Sequence, residues 1–581
     1  MRRHDAAVST VKVIGYKLKI LKLTRWITTG MSRHASGPAN AILGATFVGW
    51  ALSLASALTM PAIAAEPPAP AVAADDKTAP DVKDDVRFTV QEYRVLGNTV
   101  LEPRDIESLL YPLLGPGKRL ADVEAARAAL ENAYHTRGYG TVFVDIPPQD
   151  VNGDGIVRLR VTEGKVHQRK IDGAKYFSER DISKELPAAQ VGTVPSLKDL
   201  QQQIASVNSV TADRSVVPIL KAGPVPGTVD LEMKVQDQLP LHGSLELNND
   251  YTADTKPLRA IAGLSYGNVF AAMDQIAFQY QSSPQSFGEV KVFNAGYTSR
   301  MFAGGYRISG SYLNSNSDVA NVGGSTGVLG KGQIVGLRLI GPQFGTASST
   351  QALTLGLDYK HFKDDVTVGG GSADLVTPIS YTNLSVSYSG FWRFRFLDEA
   401  LSLSPNFGLR GAPNNPDTFE NKRYLGRPNY SYLRWDDTLG LNFPADYRLS
   451  LRLSGQLTNE PLISNENYSI GGSDGVRGYL EAEELGDNAI KGTIQLLTPS
   501  WTLYVPKLFN VFAFVDAGHT HSFATLGAQP EHAELRSWGA GLNLLPGGSV
   551  TGQLLWADPL RNGTYTRSHQ GRVLFTVRGS F

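Results

Sequence analysis

One arginine and one aspartate carry the clearest chemistry in these 581 residues. Arg477 stands in Gly471-Gly472-Ser473-Asp474-Gly475-Val476-Arg477-Gly478-Tyr479, and Asp516 in Phe514-Val515-Asp516-Ala517-Gly518 within an apolar run. A guanidinium is costly to bury unless a carboxylate or carbonyls satisfy its donors. Glycines adopt φ > 0 freely and let the chain fold back tightly on itself. What these types permit is a bidentate ion pair in an enclosed space, with Asp516 receiving Arg477. Such a pair adds little net stability and serves better to fix one geometry.

Other candidates for reactive chemistry are weaker. Ser325 and Ser473 both fall in Gly-x-Ser-x-Gly strings, but a nucleophile elbow needs a helix after the serine, and neither string has one. Asp150-Val151-Asn152-Gly153-Asp154-Gly155 copies the first half of a calcium loop, yet its twelfth position is Val161 rather than a bidentate glutamate. His519 and His521 are close neighbours without a carboxylate at ligand spacing. No catalytic residue, no metal site and no cofactor motif is therefore read from the sequence.

The elements that must position Arg477 and Asp516 are strands. From about 241 to 581 the apolar residues recur with period two. They do so at Leu258 to Tyr266, Ile276 to Tyr280, Leu353 to Tyr359, Leu384 to Tyr388 and Leu449 to Leu457, and most clearly at Val573, Phe575, Val577, Gly579 and Phe581. Between them lie polar, glycine-rich loops such as Asn314 to Gly332 and Gly411 to Asn421. One apolar and one polar face, repeated over this length without helices, is the pattern of a transmembrane antiparallel β-barrel. At about twenty residues per strand and connection, the stretch holds about sixteen strands. A soluble sandwich or propeller fits less well, because no blade-length repeat is present and the chain ends on an outward aromatic. Composition agrees. Lys+Arg and Asp+Glu are both 55, which gives no field for nucleic acid. No cysteine is present, so disulfides and thiolate metal sites are excluded.

Before the barrel, the chain changes character three times. Residues 41 to 65 are uncharged and end in Ala62-Ile63-Ala64, which reads 1–65 as a secretory signal peptide, with Met31 as an alternative start. Residues 66–86 are Pro-, Ala- and Asp-rich and read as a linker. From 87 to 166 the order is strand, two helices, two strands. The first helix has Ile106, Leu109, Leu110 and Leu113 at helical spacing and stops at Gly115-Pro116-Gly117; the second has Val123, Ala126, Leu130 and Tyr134. The order recurs from 167 to 240, with Leu197, Leu200, Ile204 and Val207 on one helix face. A repeat of about 75 residues means two copies of one module.

These modules resemble polypeptide-transport-associated (POTRA) domains. Gly97-Asn98-Thr99, Gly138-Tyr139 and Pro147-Pro148-Gln149 resemble the two-partner secretion variant in particular. The Val476-Arg477-Gly478-Tyr479 and Phe514-x-Asp516-x-Gly518 pair resembles the two barrel motifs of the two-partner secretion transporters (the haemolysin/filamentous-adhesin secretion-activation family). The resemblance implies two POTRA domains in the periplasm and a 16-stranded outer-membrane barrel. It also implies an inward loop whose Arg477 contacts the wall near Asp516, with Gly478 allowing close approach and Tyr479 packing. Phe581 resembles the C-terminal signal read by the outer-membrane insertion machinery. The implied activity is secretion of an extended partner exoprotein, adhesin- or haemolysin-like, which docks on the POTRA domains by strand addition and threads the lumen. No enzyme chemistry and no nucleic acid enter it. The alternative is an assembly factor that inserts other barrels. One departure is expected: the segment 66–86 is too short and proline-interrupted for the pore-plugging helix that several members carry.

Overall fold

The computed structural model describes residues 87–581, except 152–153, 271–272, 318, 323–325, 347, 364, 368–373, 377, 412, 503–506 and 528. The signal peptide and linker expected over 1–86, the plug helix expected to be missing from 66–86, and Ser325 all lie outside the described residues.

The first small domain runs β1 (Glu92–Leu96), α1 (Pro103–Leu110), α2 (Leu120–Thr136), β2 (Val142–Asp145) and β3 (Ile156–Glu163). Helix α2 starts where the Asp122 carboxylate accepts the Arg119 N–H at 2.7 Å, a reciprocal cap that satisfies an orphan donor. It buries Val123, Ala126, Leu130 and Tyr134 along one face. The sheet order is β1-β3-β2, with β1 parallel and β2 antiparallel to β3. Glu163 ties the entry turn, accepting the N–H groups of Thr99 at 2.6 Å and Val100 at 3.1 Å and the Thr99 hydroxyl. Gly115-Pro116-Gly117 does more than stop α1. With Lys118 it forms a short strand paired with Phe88–Val90, made possible by positive φ at Gly115 and Gly117.

The second domain repeats this plan as β4 (Lys165–Asp172), α3 (Glu179–Lys184), α4 (Leu197–Ser209), β5 (Arg214–Ala222) and β6 (Thr228–Asp237), with sheet order β4-β6-β5. Its equivalence to the first is visible at one residue. Gly97 (φ +89°) and Gly173 (φ +92°) each follow the first strand, and a Cβ on either would strike a carbonyl oxygen of the central strand, Val161 or Val235. The two domains touch where the Leu197 N–H donates to the Gly138 carbonyl at 2.7 Å.

Sixteen strands close a ring among the described residues, each antiparallel to the next. They are β7 (Leu241–Asn248), β8 (Arg259–Val269), β9 (Asp274–Ser282), β10 (Lys291–Thr298), β11 (Arg307–Ser315), β12 (Gly332–Ile340), β13 (Ser349–Phe362), β14 (Ile379–Arg393), β15 (Leu397–Gly408), β16 (Ser431–Asn442), β17 (Arg448–Thr458), β18 (Asn488–Leu497), β19 (Phe509–His521), β20 (His532–Leu544), β21 (Val550–Pro559) and β22 (Arg572–Ser580). The ring closes with β22 on β7, from Thr576↔Asn248 to Ser580↔Ser244, and Phe581 exchanges backbone hydrogen bonds with Gly243. Outward positions expose Leu245, Leu264, Leu337, Leu355, Val515 and Val577, and the short-turn end exposes Phe302, Tyr306, Phe394, Phe396, Tyr447 and Trp501. Inward positions bury Asn248, Gln281, Asn383, Gln456, Asp516 and Ser537. An apolar outside over a polar inside suits a barrel in lipid.

Connections alternate between short turns at the end near the small domains and long loops at the other. The loop expected over Gly411 to Asn421 contains a helix, α5 (Pro416–Lys422), because Asn415 caps it and Pro416 opens it. The second domain is fastened to the short-turn end. Asn268 Nδ2 donates to the Tyr176 carbonyl at 2.7 Å, and His242 Nε2 lies 2.9 Å from the Asp213 carboxylate. Burial works to raise the Asp213 carboxyl, but hydrogen bonds from His242, Gln238 and Thr211 outweigh it and hold the group below the ordinary carboxylate range.

Leu130, fully buried in the first domain, gives a direct check on that core. Leu130→Ala should cost it about 2–5 kcal/mol, seen as faster amide hydrogen exchange confined to the first domain, with the barrel unchanged.

Candidate functional site

The connection from β17 to β18, residues 459–487, does not stay at the rim. It folds into the lumen and buries Ile470, Val476 and Tyr479. Its tight return comes from the Val476 N–H donating to the Ile470 carbonyl at 2.8 Å and that of Gly475 to Gly472 at 3.0 Å, with Gly472 at φ +104°. This delivers Arg477 to β19. Its Nε and one terminal nitrogen donate to the two oxygens of Asp516, both at 2.8 Å, and its backbone N–H adds a third bond at 3.0 Å. The other terminal nitrogen donates to Gln495 Oε1 at 2.8 Å, and the guanidinium lies 3.4 Å over the Phe514 ring centre. Asp516 is fully buried and Arg477 nearly so. Such an arginine has a bidentate carboxylate, an amide oxygen and an aromatic face as partners.

The neighbouring motif residues clear space for it. Gly478 (φ +94°) runs so close to β21 that a Cβ would sit 3.2 Å from Ala557 Cβ. Gly518 leaves room for Val476 and Ile470, whose atoms would come within 3.0 and 3.1 Å of an added Cβ. The Tyr479 hydroxyl donates to the Arg561 carbonyl at 2.8 Å, with the Arg536 carbonyl at 3.0 Å, and accepts the Arg561 N–H at 3.2 Å. The structure thus brings Val476, Arg477, Gly478, Tyr479, Phe514, Asp516 and Gly518 together. Phe581 lies apart from them, exposed at the ring's closing seam.

The sequence reading missed a second anchor. Glu466, fully buried in a short turn of the same loop, accepts from Lys360 Nζ at 2.6 Å, the Tyr381 hydroxyl at 2.5 Å and the Tyr432 hydroxyl at 2.7 Å. These come from β13, β14 and β16. Its carbonyl also accepts from Arg434 at 3.2 Å and Gln456 at 3.0 Å. Asp487, at the loop's far end, accepts the N–H groups of Leu462 at 2.8 Å and Phe523 at 2.7 Å. The alternation already turns Lys360 and Tyr381 inward, opposite in parity to Tyr359 and Leu384. Nothing in the string Asn465-Glu466-Asn467 says that the loop's glutamate would meet them.

Ser473 sits in a different setting from a catalytic nucleophile. Its hydroxyl donates to Asp250 at 2.9 Å and its N–H to Glu481 at 2.6 Å, which are carboxylates that hold the loop.

An antiparallel barrel with paired N-terminal α+β domains and a loop tied inside its lumen defines the class: an outer-membrane β-barrel transporter with periplasmic POTRA domains. Residues 88–164 match the ShlB-type POTRA domain, and residues 227–544 match the haemolysin secretion/activation protein ShlB/FhaC/HecB. The chain belongs to that family, the two-partner secretion transporters of the outer membrane. Among curated relatives, the outer membrane transporter CdiB of Escherichia coli is 24% identical over 81% of this chain and 79% of its own length. The heme/hemopexin transporter protein HuxB of Haemophilus influenzae is 21% identical over 83% and 85%. The solved structure of CdiB from Escherichia coli superposes with a TM-score of 0.61 at 20% identity, covering 87% of this chain and 93% of that one.

Glu466→Gln leaves the Lys360 ammonium facing a neutral amide, and breaking a buried pair in this way costs about 3–5 kcal/mol. The variant barrel should lose its heat-modifiable electrophoretic mobility at a lower temperature. Adding Lys360→Met should restore part of the loss, because no unpaired charge then remains.

Proposed function

We propose that this chain secretes one dedicated exoprotein across the outer membrane, and that the loop 459–487, held by Arg477 and Asp516, is the element that yields to let it pass. The observation that carries this reading is the loop itself. It lies in the lumen and is fastened by ionic and hydrogen-bonded contacts, which can be exchanged for water at modest cost because the lumen is polar. A cavity of about 930 Å³, lined by barrel residues such as Glu246, Arg259 and Gln281, by Asp250 and by Glu481 of the loop, presents groups that suit a hydrated, extended polypeptide better than an apolar ligand.

The domain plan we propose is a signal peptide over 1–65, a linker over 66–86, POTRA domains over 87–166 and 167–240, and the barrel from 241. The partner enters by strand addition on the small domains. In the first domain β1 is an outer strand paired on one side among the described residues, whereas the outer edge of β2 is taken by α2, with the Val144 N–H donating to Glu131 at 3.0 Å and the Val144 carbonyl accepting from Arg127 at 3.1 Å; in the second domain the outer strands are β4 and β5. Exposed Val217 and Leu220 on β5 offer apolar contact beside such an edge. Backbone pairing tolerates any sequence, as a carrier of unfolded protein requires. Phe581 serves as the signal by which the insertion machinery receives the barrel. The chain performs no covalent chemistry; Ser473 should stay unlabelled by a fluorophosphonate probe.

The test is the proteome of the culture medium and outer membrane with the gene intact, deleted, and carrying Arg477→Ala. Deletion should remove one large protein from the medium and leave other barrels unchanged. Arg477→Ala should leave this barrel in the membrane with its loop released from β19, seen as a larger ion conductance of the purified barrel in planar bilayers than that of the intact chain. A joint fall of many barrels would instead make this an assembly factor.

A further inference from the structure

The hairpin that joins β19 to β20 gathers three metal-ligating side chains that no sequence spacing reveals. His521 ends β19 and His532 begins β20, and the two are direct register partners. Glu531 stands beside them. Its Oε1 lies 3.4 Å from His521 Nε2 and 3.7 Å from His532 Nε2. One ligand atom from each residue falls within 4.8 Å of the others. The two imidazoles stack with centres 4.8 Å apart, and His519 stacks on the far side of His532 at 5.5 Å.

Bond lengths of about 2.0–2.2 Å in a tetrahedral zinc site place its ligand atoms about 3.4 Å apart. Two edges of this triangle are already close to that value. The third, no longer than 4.8 Å, closes when the half-exposed His532 side chain turns out of its stack. A divalent cation that prefers imidazole satisfies all three groups at once, which favours zinc, copper or nickel over magnesium or calcium. Three protein ligands leave a position for water.

We propose that His521, Glu531 and His532 form a zinc-type site at the outer rim of the barrel, which clips β19 to β20. The site is close to the loop's supports. Two residues beyond His521, the Phe523 N–H donates to Asp487 at 2.7 Å and the Phe523 carbonyl accepts from Arg423 at 2.7 Å. Asp487 ends the inward loop, and Asp516 lies on β19 itself, so a metal clip stiffens the strand and hairpin on which the closed loop rests. The site stands on its own geometry and does not depend on which protein is exported.

The experiment uses the untagged full chain in detergent, stripped with EDTA and titrated with ZnCl2 and separately with MgCl2, read by calorimetry and by thermal unfolding. We expect saturable binding of one zinc per chain with a raised unfolding temperature, and no effect of magnesium. His532→Gln and Glu531→Gln, both exposed positions, should keep the folded barrel's heat-modifiable mobility. Each should weaken zinc binding by at least the ~10–100-fold that loss of a mere outer-shell partner costs. His569→Gln, at another loop, should leave it unchanged. Zinc binding that survives both His532→Gln and His521→Gln, or the absence of saturable binding, overturns the proposal.

Discussion

The closed state depends on keeping a guanidinium satisfied inside a membrane barrel. Arg477 would be prohibitively costly there without partners, and the wall provides them: the two oxygens of Asp516, the amide oxygen of Gln495 and the face of Phe514. The other motif residues follow from that placement. Gly478 and Gly518 are glycines because the loop backbone and the wall approach to near contact on both sides of the pair. Val476 and Tyr479 are large because they seal the space around it. Replacing the pair by apolar groups would cost little stability. What the ions provide is a geometry that exists in one arrangement or not at all.

Glu466 extends this logic across the barrel. Arg477 fastens one part of the loop to β19, while Glu466 fastens another to β13, β14 and β16 through an ammonium and two phenols. The loop is therefore a strap with two ends held by charge-assisted bonds rather than a finger hinged at its base. Moving it means releasing one end, the other, or both. Each end leaves behind groups that the polar lumen can hydrate. A strap sealed by apolar packing alone would gain nothing from water on opening.

Much of this was legible in the sequence where short-range patterns carry it. Period-two alternation marks the strands because the two faces of a barrel meet different solvents. Asp516 stands out as a lone charge in an apolar string, and Arg477 as the one cation in a glycine-rich string. The paired modules show in their helix faces and in Gly97 and Gly173. What was not legible depends on register. Glu466 meets Lys360, Tyr381 and Tyr432 only after β13, β14 and β16 have been laid side by side. His521, Glu531 and His532 converge only because a hairpin returns on itself. Asn415-Pro416 did announce the helix α5, but in a loop read as irregular the signal was passed over.

The fully paired ring bears on how such a protein can open. Each barrel strand is hydrogen-bonded to a neighbour on either side, and backbone groups stripped of partners in lipid cost several kcal/mol each. Widening the wall by unzipping strands would charge that cost at every residue of the broken pair. Shifting a loop that lies wholly within a hydrated lumen breaks a handful of polar contacts and meets water at once. The cheaper motion by far is the loop's, which supports the proposal that the loop of residues 459–487, rather than the strand pairs, yields on opening.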